Sequence, residues 1–327
     1  RREFQVEKEV ASAYAYICGL GFFTLTVNGQ PVTDSVMNPA PTQYDYTSLY
    51  CVYDVSELLQ EGGNAVGVEL GNSFYNETGG VWNWPNAHWR DNPKCLLNLE
   101  IIYTDGSSET IVTDRSWKVS RDGPITSNSL YYGDEYDARK ALVDGEGRSF
   151  DQAGYDDSAW IDASVLATPV NEDGEAAALK WQHEEPNMRT ATFKPSRIQQ
   201  LDEDSWVVTC PVMTTGWAKL TGINIPEGQE LTITYSEKQH EDGTVMKLGG
   251  LDGEGENWFS EANICQDHYI SDGTADAAYE PRYSYKGYQY IQIDGWQGEF
   301  TAHSAHGISR GSLARTVPFP ARPFPSA

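Results

Sequence analysis

Apolar and polar residues alternate along most of this chain with the two-residue period of a half-buried strand. The runs Tyr14-Ala15-Tyr16-Ile17-Cys18, Phe22-Phe23-Thr24-Leu25-Thr26-Val27, Leu97-Asn98-Leu99-Glu100-Ile101-Ile102-Tyr103 and Glu109-Thr110-Ile111-Val112-Thr113 are short and rich in β-branched and aromatic residues, which suit a pleated surface. Between them lie Asn28-Gly29, Glu61-Gly62-Gly63-Asn64, Asp105-Gly106 and Asp122-Gly123. Asn-Gly and Asp-Gly tolerate positive φ and close hairpins. Only residues 55–60 suggest a helical turn. This density of short strands predicts an all-β chain of sandwich type rather than a parallel sheet.

From residue 137 to about 195 the alternation weakens, and Gly, Asp, Glu and Ala accumulate, as in Asn171-Glu172-Asp173-Gly174-Glu175. That composition predicts a strap or linker. Strand periodicity returns in Trp217-Ala218-Lys219-Leu220-Thr221-Gly222-Ile223, Glu230-Leu231-Thr232-Ile233-Thr234-Tyr235 and Tyr288-Gln289-Tyr290-Ile291-Gln292-Ile293. The expected organisation is a β-sandwich over residues 1–165, a strap over 166–195, a second jelly-roll-like sandwich over 196–308 and a proline-rich, extended tail over 309–327.

Composition sharpens this reading. With 39% hydrophobic and 22% charged residues the chain can bury a core. Its 19 Tyr and 10 Trp supply flat, electronegative ring faces of the kind that pack against pyranose C–H groups. A formal net charge of -25 repels nucleic-acid phosphates and anionic membrane surfaces, which excludes both as partners, but attracts cations. No apolar run is long enough to span a bilayer. The five cysteines are odd in number and form no C-x-x-C pair, so neither a disulfide framework nor a zinc site is expected. Arg1 opens what already reads as a strand, with no signal peptide before it, as if the native start had been removed.

No catalytic constellation stands out. Asp134, Glu135 and Asp137 are close in sequence, but on a strand their side chains alternate between faces, and they read as turn or strap contacts to Arg139. No Ser-His-Asp arrangement, nucleophile elbow or phosphate loop is present. The most site-like stretch runs from Asn72 to Asp91. In it Trp82, Trp84, His88 and Trp89 are interleaved with Asn83, Asn86, Arg90 and Asp91. Long loops on sandwiches carry function, and Trp beside amides and carboxylates is what sugar recognition needs. The sugar-binding candidates are Asn72, Trp82, Trp84, Trp89 and Asp91; the alternative is that the tryptophans pack this loop onto the sheet.

Several phrases in fixed order carry a resemblance. Gly19-Leu20-Gly21-Phe22-Phe23-Thr24-Leu25-Thr26-Val27-Asn28-Gly29 is followed by Thr42-Gln43-Tyr44-Asp45, Gly63-Asn64-Ala65-Val66-Gly67-Val68-Glu69-Leu70-Gly71-Asn72, Thr113-Asp114-Arg115-Ser116-Trp117 and Gly133-Asp134-Glu135-Tyr136-Asp137-Ala138-Arg139. Further on come Gly216-Trp217-Ala218-Lys219-Leu220, Asp267-His268-Tyr269-Ile270 and Pro281-Arg282-Tyr283-Ser284-Tyr285-Lys286-Gly287-Tyr288. Residues 1–308 thereby resemble the N-terminal β-domains of bacterial α-L-rhamnosidases of glycoside hydrolase family 78, the first of which is related to rhamnose-binding modules. Thr209-Cys210-Pro211-Val212-Met213 departs from the Asp-Phe-Gly-Gln-Asn-like phrase usual in the family.

The resemblance implies partners and ligands. The catalytic helical barrel would follow residue 310 and is absent from this chain, so the expectation is no activity by the chain alone. L-rhamnose or a rhamnose-containing glycan would be the ligand. A calcium ion bridging protein and sugar hydroxyls would be held by the residues matching the motif, Asp45, Asn128 and the carbonyl of Gly133, with Asn72 beside them. An extracytoplasmic or secreted location is favoured. Three readings follow: a sugar-binding and scaffold portion of a rhamnosidase, purely structural domains buttressing the barrel, or an independent enzyme of another kind.

Overall fold

A computed structural model describes residues 1–77, 87–246 and 265–312. Strands dominate it. In chain order they are β1 (Arg2–Val6), β2 (Val10–Leu20), β3 (Phe22–Val27), β4 (Gln30–Pro31), β5 (Thr47–Asp54), β6 (Gly62–Gly71), β7 (Lys94–Tyr103), β8 (Ser108–Val112), β9 (Lys118–Val119), β10 (Ile125–Ser129), β11 (Gly133–Asp137), β12 (Ile161–Asp162) and β13 (Ala178–Trp181). Then come β14 (Asn187–Phe193), β15 (Arg197–Gln200), β16 (Ser205–Ile223), β17 (Glu230–Ser236), β18 (Gln266–Ile270), β19 (Ala277–Tyr279), β20 (Lys286–Asp294) and β21 (Ala305–Ser312). The helical turn expected at 55–60 is a single 3-10 turn, Ser56–Leu58.

The first sandwich packs a sheet of order β1-β6-β3-β4 against one of order β13-β5-β2-β7-β8. The inward members of the alternating runs, among them Ile17, Leu25, Val66, Leu97, Leu99 and Ile101, form one core with Trp117. Asn28 and Gly29 take positive φ, which turns β3 back onto β4. All five cysteines are free, and Cys18 and Cys51 are buried, as small apolar residues should be.

The second unit is a curled ten-stranded sheet along the path β10-β11-β18-β17-β20-β16-β21-β14, with β15 and β19 on β16. Its core includes Val208, Leu220, Ile233, Tyr288, Ile291 and Trp296. The expectation of antiparallel sandwiches holds except at two parallel pairings, β11 with β18 and β13 with β5. Both join segments far apart in sequence, so neither leaves a local signal. The region read as a strap also contributes strands: β13 adds to the first sandwich and β14 pairs with β21 in the second sheet. Residues 313–327, most of the proline-rich tail, lie outside the described residues.

The two units are joined tightly. Phe22, Met37 and Leu130 share a core with Trp217, Tyr283 and Ile308. Phe22 and Tyr283 stack with centroids 6.2 Å apart, and a Cβ on Gly71 would lie 2.5 Å from the Tyr283 ring, so only glycine lets that ring in. Arg282 pairs with Glu69 at 2.9 Å. Behind this contact is a buried polar knot. Asp267, fully buried, accepts hydrogen bonds from the Asp134 amide at 2.9 Å, Ser284 Oγ at 3.2 Å, Tyr235 Oη at 2.5 Å and the Lys286 ammonium. Asp134 Oδ2 accepts from the amides of Arg282 and Tyr283 at 2.7 and 3.0 Å, while its Oδ1 has no hydrogen-bond partner among the described residues. Burial and the neighbouring Asp267 carboxylate push the Asp134 carboxyl up to about 6.

Candidate functional site

Four connections meet at one end of the first sandwich: residues 42–47, 72–77, 87–94 and the β10–β11 hairpin loop. Each is shaped locally. Thr42 Oγ1 donates to the Thr47 carbonyl at 2.5 Å and the amides of Tyr46 and Thr47 both reach the Gln43 carbonyl, a tight turn that presents Tyr44 and Asp45 ahead of β5. Asn72 follows β6 and caps a 3-10 turn at Ser73–Tyr75, where Ser73 takes positive φ. The Arg90 amide closes a turn on the Ala87 carbonyl, and Lys94 begins β7.

Amide and carboxylate groups lace these loops together. The Asn72 amide donates to Asn128 Oδ1 at 2.8 Å and its Nδ2 to the Asn128 carbonyl at 2.7 Å. Asn76 Nδ2 donates to Asn72 Oδ1 at 3.0 Å. Glu77, fully buried, accepts from Ser129 Oγ at 2.6 Å and from the Leu130 amide at 2.8 Å. Its backbone carbonyl accepts from the Arg90 guanidinium.

The aromatic part is Tyr44, Tyr75 and Trp89, with Leu20 beneath. Tyr44 lies 5.2 Å from Tyr75 and 6.3 Å from Trp89 between ring centroids. Burial pushes the Tyr44 phenol up to about 12, so it stays a neutral hydroxyl, 3.4 Å from Ser73 Oγ. At the rim Lys94 Nζ meets Asp91 at 2.6 Å and Tyr75 Oη at 2.8 Å. Burial draws the Lys94 ammonium down, but Asp91 and Tyr75 outweigh it and hold the group above its ordinary range. The same hydrogen bond holds Asp91 below the usual carboxylate range.

Two atoms in this cluster are left over. Among the described residues Asp45 Oδ1 and Trp89 Nε1 are buried without a hydrogen-bond partner, and the His88 ring lies beside Asp45, with Nδ1 3.7 Å from Oδ2. Tyr44 and Asp45 are consecutive, as are His88 and Trp89, so the ring contact and the His88–Asp45 contact bring the two loops face to face. Leaving a buried acceptor and a buried donor unmade costs about 1–3 kcal/mol each. A sugar hydroxyl can donate to the one and accept from the other.

The other sequence candidates fall as follows. Asn72 and Asn128 are brought together, and Trp89 joins Asp45 through Tyr44. Asp91 sits at the exposed rim on Lys94. Gly133 lies in the same hairpin as Asn128, directly opposite Ser129, with φ +121° and its Cα side closed by the Gln266 carbonyl. Trp82 and Trp84 lie outside the described residues, with Asn83 and Asn86. Asp137 holds the Arg139 side chain at 2.8–2.9 Å, the strap contact expected of it. Tyr44, Tyr75, Glu77 and Lys94 were not singled out. Tyr44 had a signal in its adjacency to Asp45; Glu77 had none, because its partners lie 52 and 53 residues away.

Comparison with known proteins decides the family. The α-L-rhamnosidase N-terminal domain profile matches residues 8–190. The chain belongs to that family. The bacterial α-L-rhamnosidase concanavalin-like domain matches residues 199–309, so both units of this glycoside hydrolase family 78 chain are accounted for. An α-L-rhamnosidase of Formosa agariphila is 33% identical over 301 residues, which is 90% of this chain and 29% of that protein. The structure of α-L-rhamnosidase from Dictyoglumus thermophilum superposes with a TM-score of 0.80 at 33% identity, covering 95% of this chain and 32% of that one. The crystal structure of Streptomyces avermitilis α-L-rhamnosidase complexed with L-rhamnose superposes with a TM-score of 0.82 at 25% identity, covering 97% and 29%. The chain thus spans about three-tenths of the length of these relatives.

Proposed function

We propose that this rhamnosidase chain is a non-catalytic, L-rhamnose-binding and scaffold portion of an enzyme that hydrolyses terminal α-L-rhamnosides, with the sugar held at the Asp45–Trp89 loop cluster. The observation that carries this reading is the pair of unpartnered buried atoms, Asp45 Oδ1 and Trp89 Nε1, on facing loops beside aromatic rings. Folding alone gives no reason to bury an acceptor and a donor unpaired. A monosaccharide hydroxyl supplies both partners, and the Tyr44, Tyr75 and Trp89 group supplies the apolar face. Hydrolysis is assigned to the remainder of the parent enzyme, the catalytic barrel, as partner.

Calcium belongs to the same proposal. Among the described residues no group of three or more His, Cys, Asp or Glu could hold a metal ion, so any such site rests on few charged ligands. The residues fit that description: Asp45 has a free carboxylate oxygen, and Asn128 Oδ1 keeps a second lone pair beyond the one taken by the Asn72 amide. Asp45, Asn128 and a hairpin carbonyl such as that of Gly133 would hold the ion. Calcium would take vicinal sugar hydroxyls as ligands in place of its own waters.

A second reading, that these domains only buttress the barrel, is favoured by the Asn72–Asn128 clasp, which consumes hydrogen bonds within the fold. Calorimetry separates the two. L-rhamnose should bind saturably with calcium, binding should vanish in excess chelator, and Asp45→Ala should abolish it. Absence of any rhamnose binding with calcium present would leave the buttress reading. The chain by itself should release no nitrophenol from nitrophenyl α-L-rhamnoside, and turnover surviving repurification would overturn the non-catalytic assignment.

A further inference from the structure

A shallow groove of about 290 Å³ opens on the ten-stranded sheet, lined by Arg189, Thr192, Lys219, Thr221, Glu280 and His306. The register explains why these side chains converge. Lys219 on β16 stands directly opposite His306 on β21, and Ile308, two residues on, stands opposite Thr192 on β14. Residues two apart on a strand share a face, so Lys219 with Thr221 and His306 with Ile308 project to the same side. Glu280 is already occupied: it holds Arg189 at 3.1 Å and accepts from Trp217 Nε1 at 3.0 Å. Lys219 has no carboxylate partner among the described residues. The groove borders the shared core of the two units, since Trp217 and Ile308 both belong to it, and ligand sites favour such junctions.

Its charge runs against the rest of the molecule. The chain has 48 acidic and 23 basic residues, yet once Arg189 and Glu280 cancel as an ion pair, the basic groups left on the groove's described lining are Lys219 and His306. Burial first, and then His303, Lys194 and Lys219, hold His306 below its ordinary pKa. A lysine without a carboxylate partner among the described residues is available to an anionic ligand.

We propose that this groove is a second ligand site, one that takes the carboxylate of an acidic saccharide, a uronate. Lys219 and His306 face the carboxylate. Thr192 and Thr221 offer hydroxyls to the sugar; Thr221 Oγ1 already donates to the His303 carbonyl at 2.6 Å, so it meets the ligand as an acceptor. Ile308, buried in the shared core, forms the floor of the groove. This rests on the saccharide-binding reading of the chain, but on residues separate from Asp45 and Trp89.

The test titrates the whole chain with D-galacturonate and, in parallel, with neutral D-galactose and with inorganic sulfate, by calorimetry and by amide chemical shifts. Saturable binding of the uronate is expected, without binding of galactose, and weakening as salt rises because the contact is ionic. Lys219→Gln and His306→Gln should each weaken it about tenfold, the loss of one hydrogen bond to a charged group, with thermal unfolding unchanged. Binding should strengthen as pH falls through the depressed pKa of His306, whose titratable and charged neighbours are His303, Lys194, Lys219, Arg189 and Glu280, because protonation adds a positive charge. Asp45→Ala should leave uronate binding intact; rhamnose binding that is absent from the parent chain, or that survives in Asp45→Ala, with uronate binding retained would sink only the earlier reading. No saturable uronate binding, unchanged affinity in Lys219→Gln, or sulfate bound as tightly as the uronate would overturn the assignment.

Discussion

Asp45 and Asp267 are both almost fully buried aspartates, yet the fold treats them in opposite ways. Asp267 receives an ammonium, two hydroxyls and a backbone amide. Asp45 has His88 at 3.7 Å on one oxygen and, among the described residues, no hydrogen-bond partner on the other. A buried carboxylate costs several kcal/mol unless it is paired and hydrogen-bonded. At the junction of the two units that cost is offset within the chain, which makes the junction one rigid piece of architecture. At the loop cluster it is left open among the described residues, the feature on which the proposed sugar site rests. The contrast is between a carboxylate that the fold satisfies and one that it does not.

The contrast can be broken or sharpened by experiment. Lys286→Met should have the largest effect, because it strands two buried carboxylates without a cation. We expect a loss of about 3–5 kcal/mol in urea unfolding, and a loss below about 1 kcal/mol would mean that the knot is not what holds the junction. Gly133→Ala should follow, at about 3 kcal/mol. Its Cβ would lie 1.7 Å from the Gln266 carbonyl oxygen at a φ of +121°, so β11 could not lie against β18 unchanged.

Asp134 gives a pH signature. Its folded pKa of about 6 exceeds the ordinary 3.8, so the folded state binds the extra proton between those values. Its contribution to stability is fully present below 3.8 and is lost as pH rises through about 6. Unfolding free energy followed from pH 4 to 7.5 should therefore show a falling component that disappears in Asp134→Asn; an unchanged profile in that variant would assign the slope elsewhere. The smallest stability effect is expected for Asp45→Ala, within about 1 kcal/mol of the parent, because the substitution removes a carboxylate that the fold barely uses. A loss comparable to that of Lys286→Met would make Asp45 a structural residue after all.

Much of the strand content could be read from the chain because it is locally encoded. Phe22–Val27 matches β3 residue for residue, and the runs at 97–103 and 288–293 fall inside β7 and β20. Asn-Gly gave the β3–β4 hairpin because only such pairs accept two positive φ values cheaply. Asp122-Gly123 did not close a hairpin: Gly123 is absent from the residues with positive φ, and β9 pairs with β12, not β10. β14 was lost in a stretch of mixed polarity because its pattern is set by pairing to β21 across more than a hundred residues. The site was partly legible. Asp45, Asn72, Asn128 and Trp89 are polar or aromatic residues in loops, which is visible in one dimension. The Glu77–Ser129 contact and the Lys219–His306 pairing exist only once distant strands are placed, and no periodicity announces them.

The pairing of β11 with β18 also has a consequence in time. The Asp134 amide bonds to Asp267, 133 residues later in the chain, and the whole parallel edge of β11 waits for the same segment. On a ribosome adding about 5–20 residues per second, that is a delay of roughly 7–27 s. During this interval the β10–β11 hairpin has emerged with one edge unsatisfied and with Leu130 lacking Trp217 and Tyr283. The nascent chain must therefore carry an open strand edge and an exposed apolar residue until its second half arrives, and it is in that window, rather than in the finished protein, that mispairing with a neighbouring chain is most accessible.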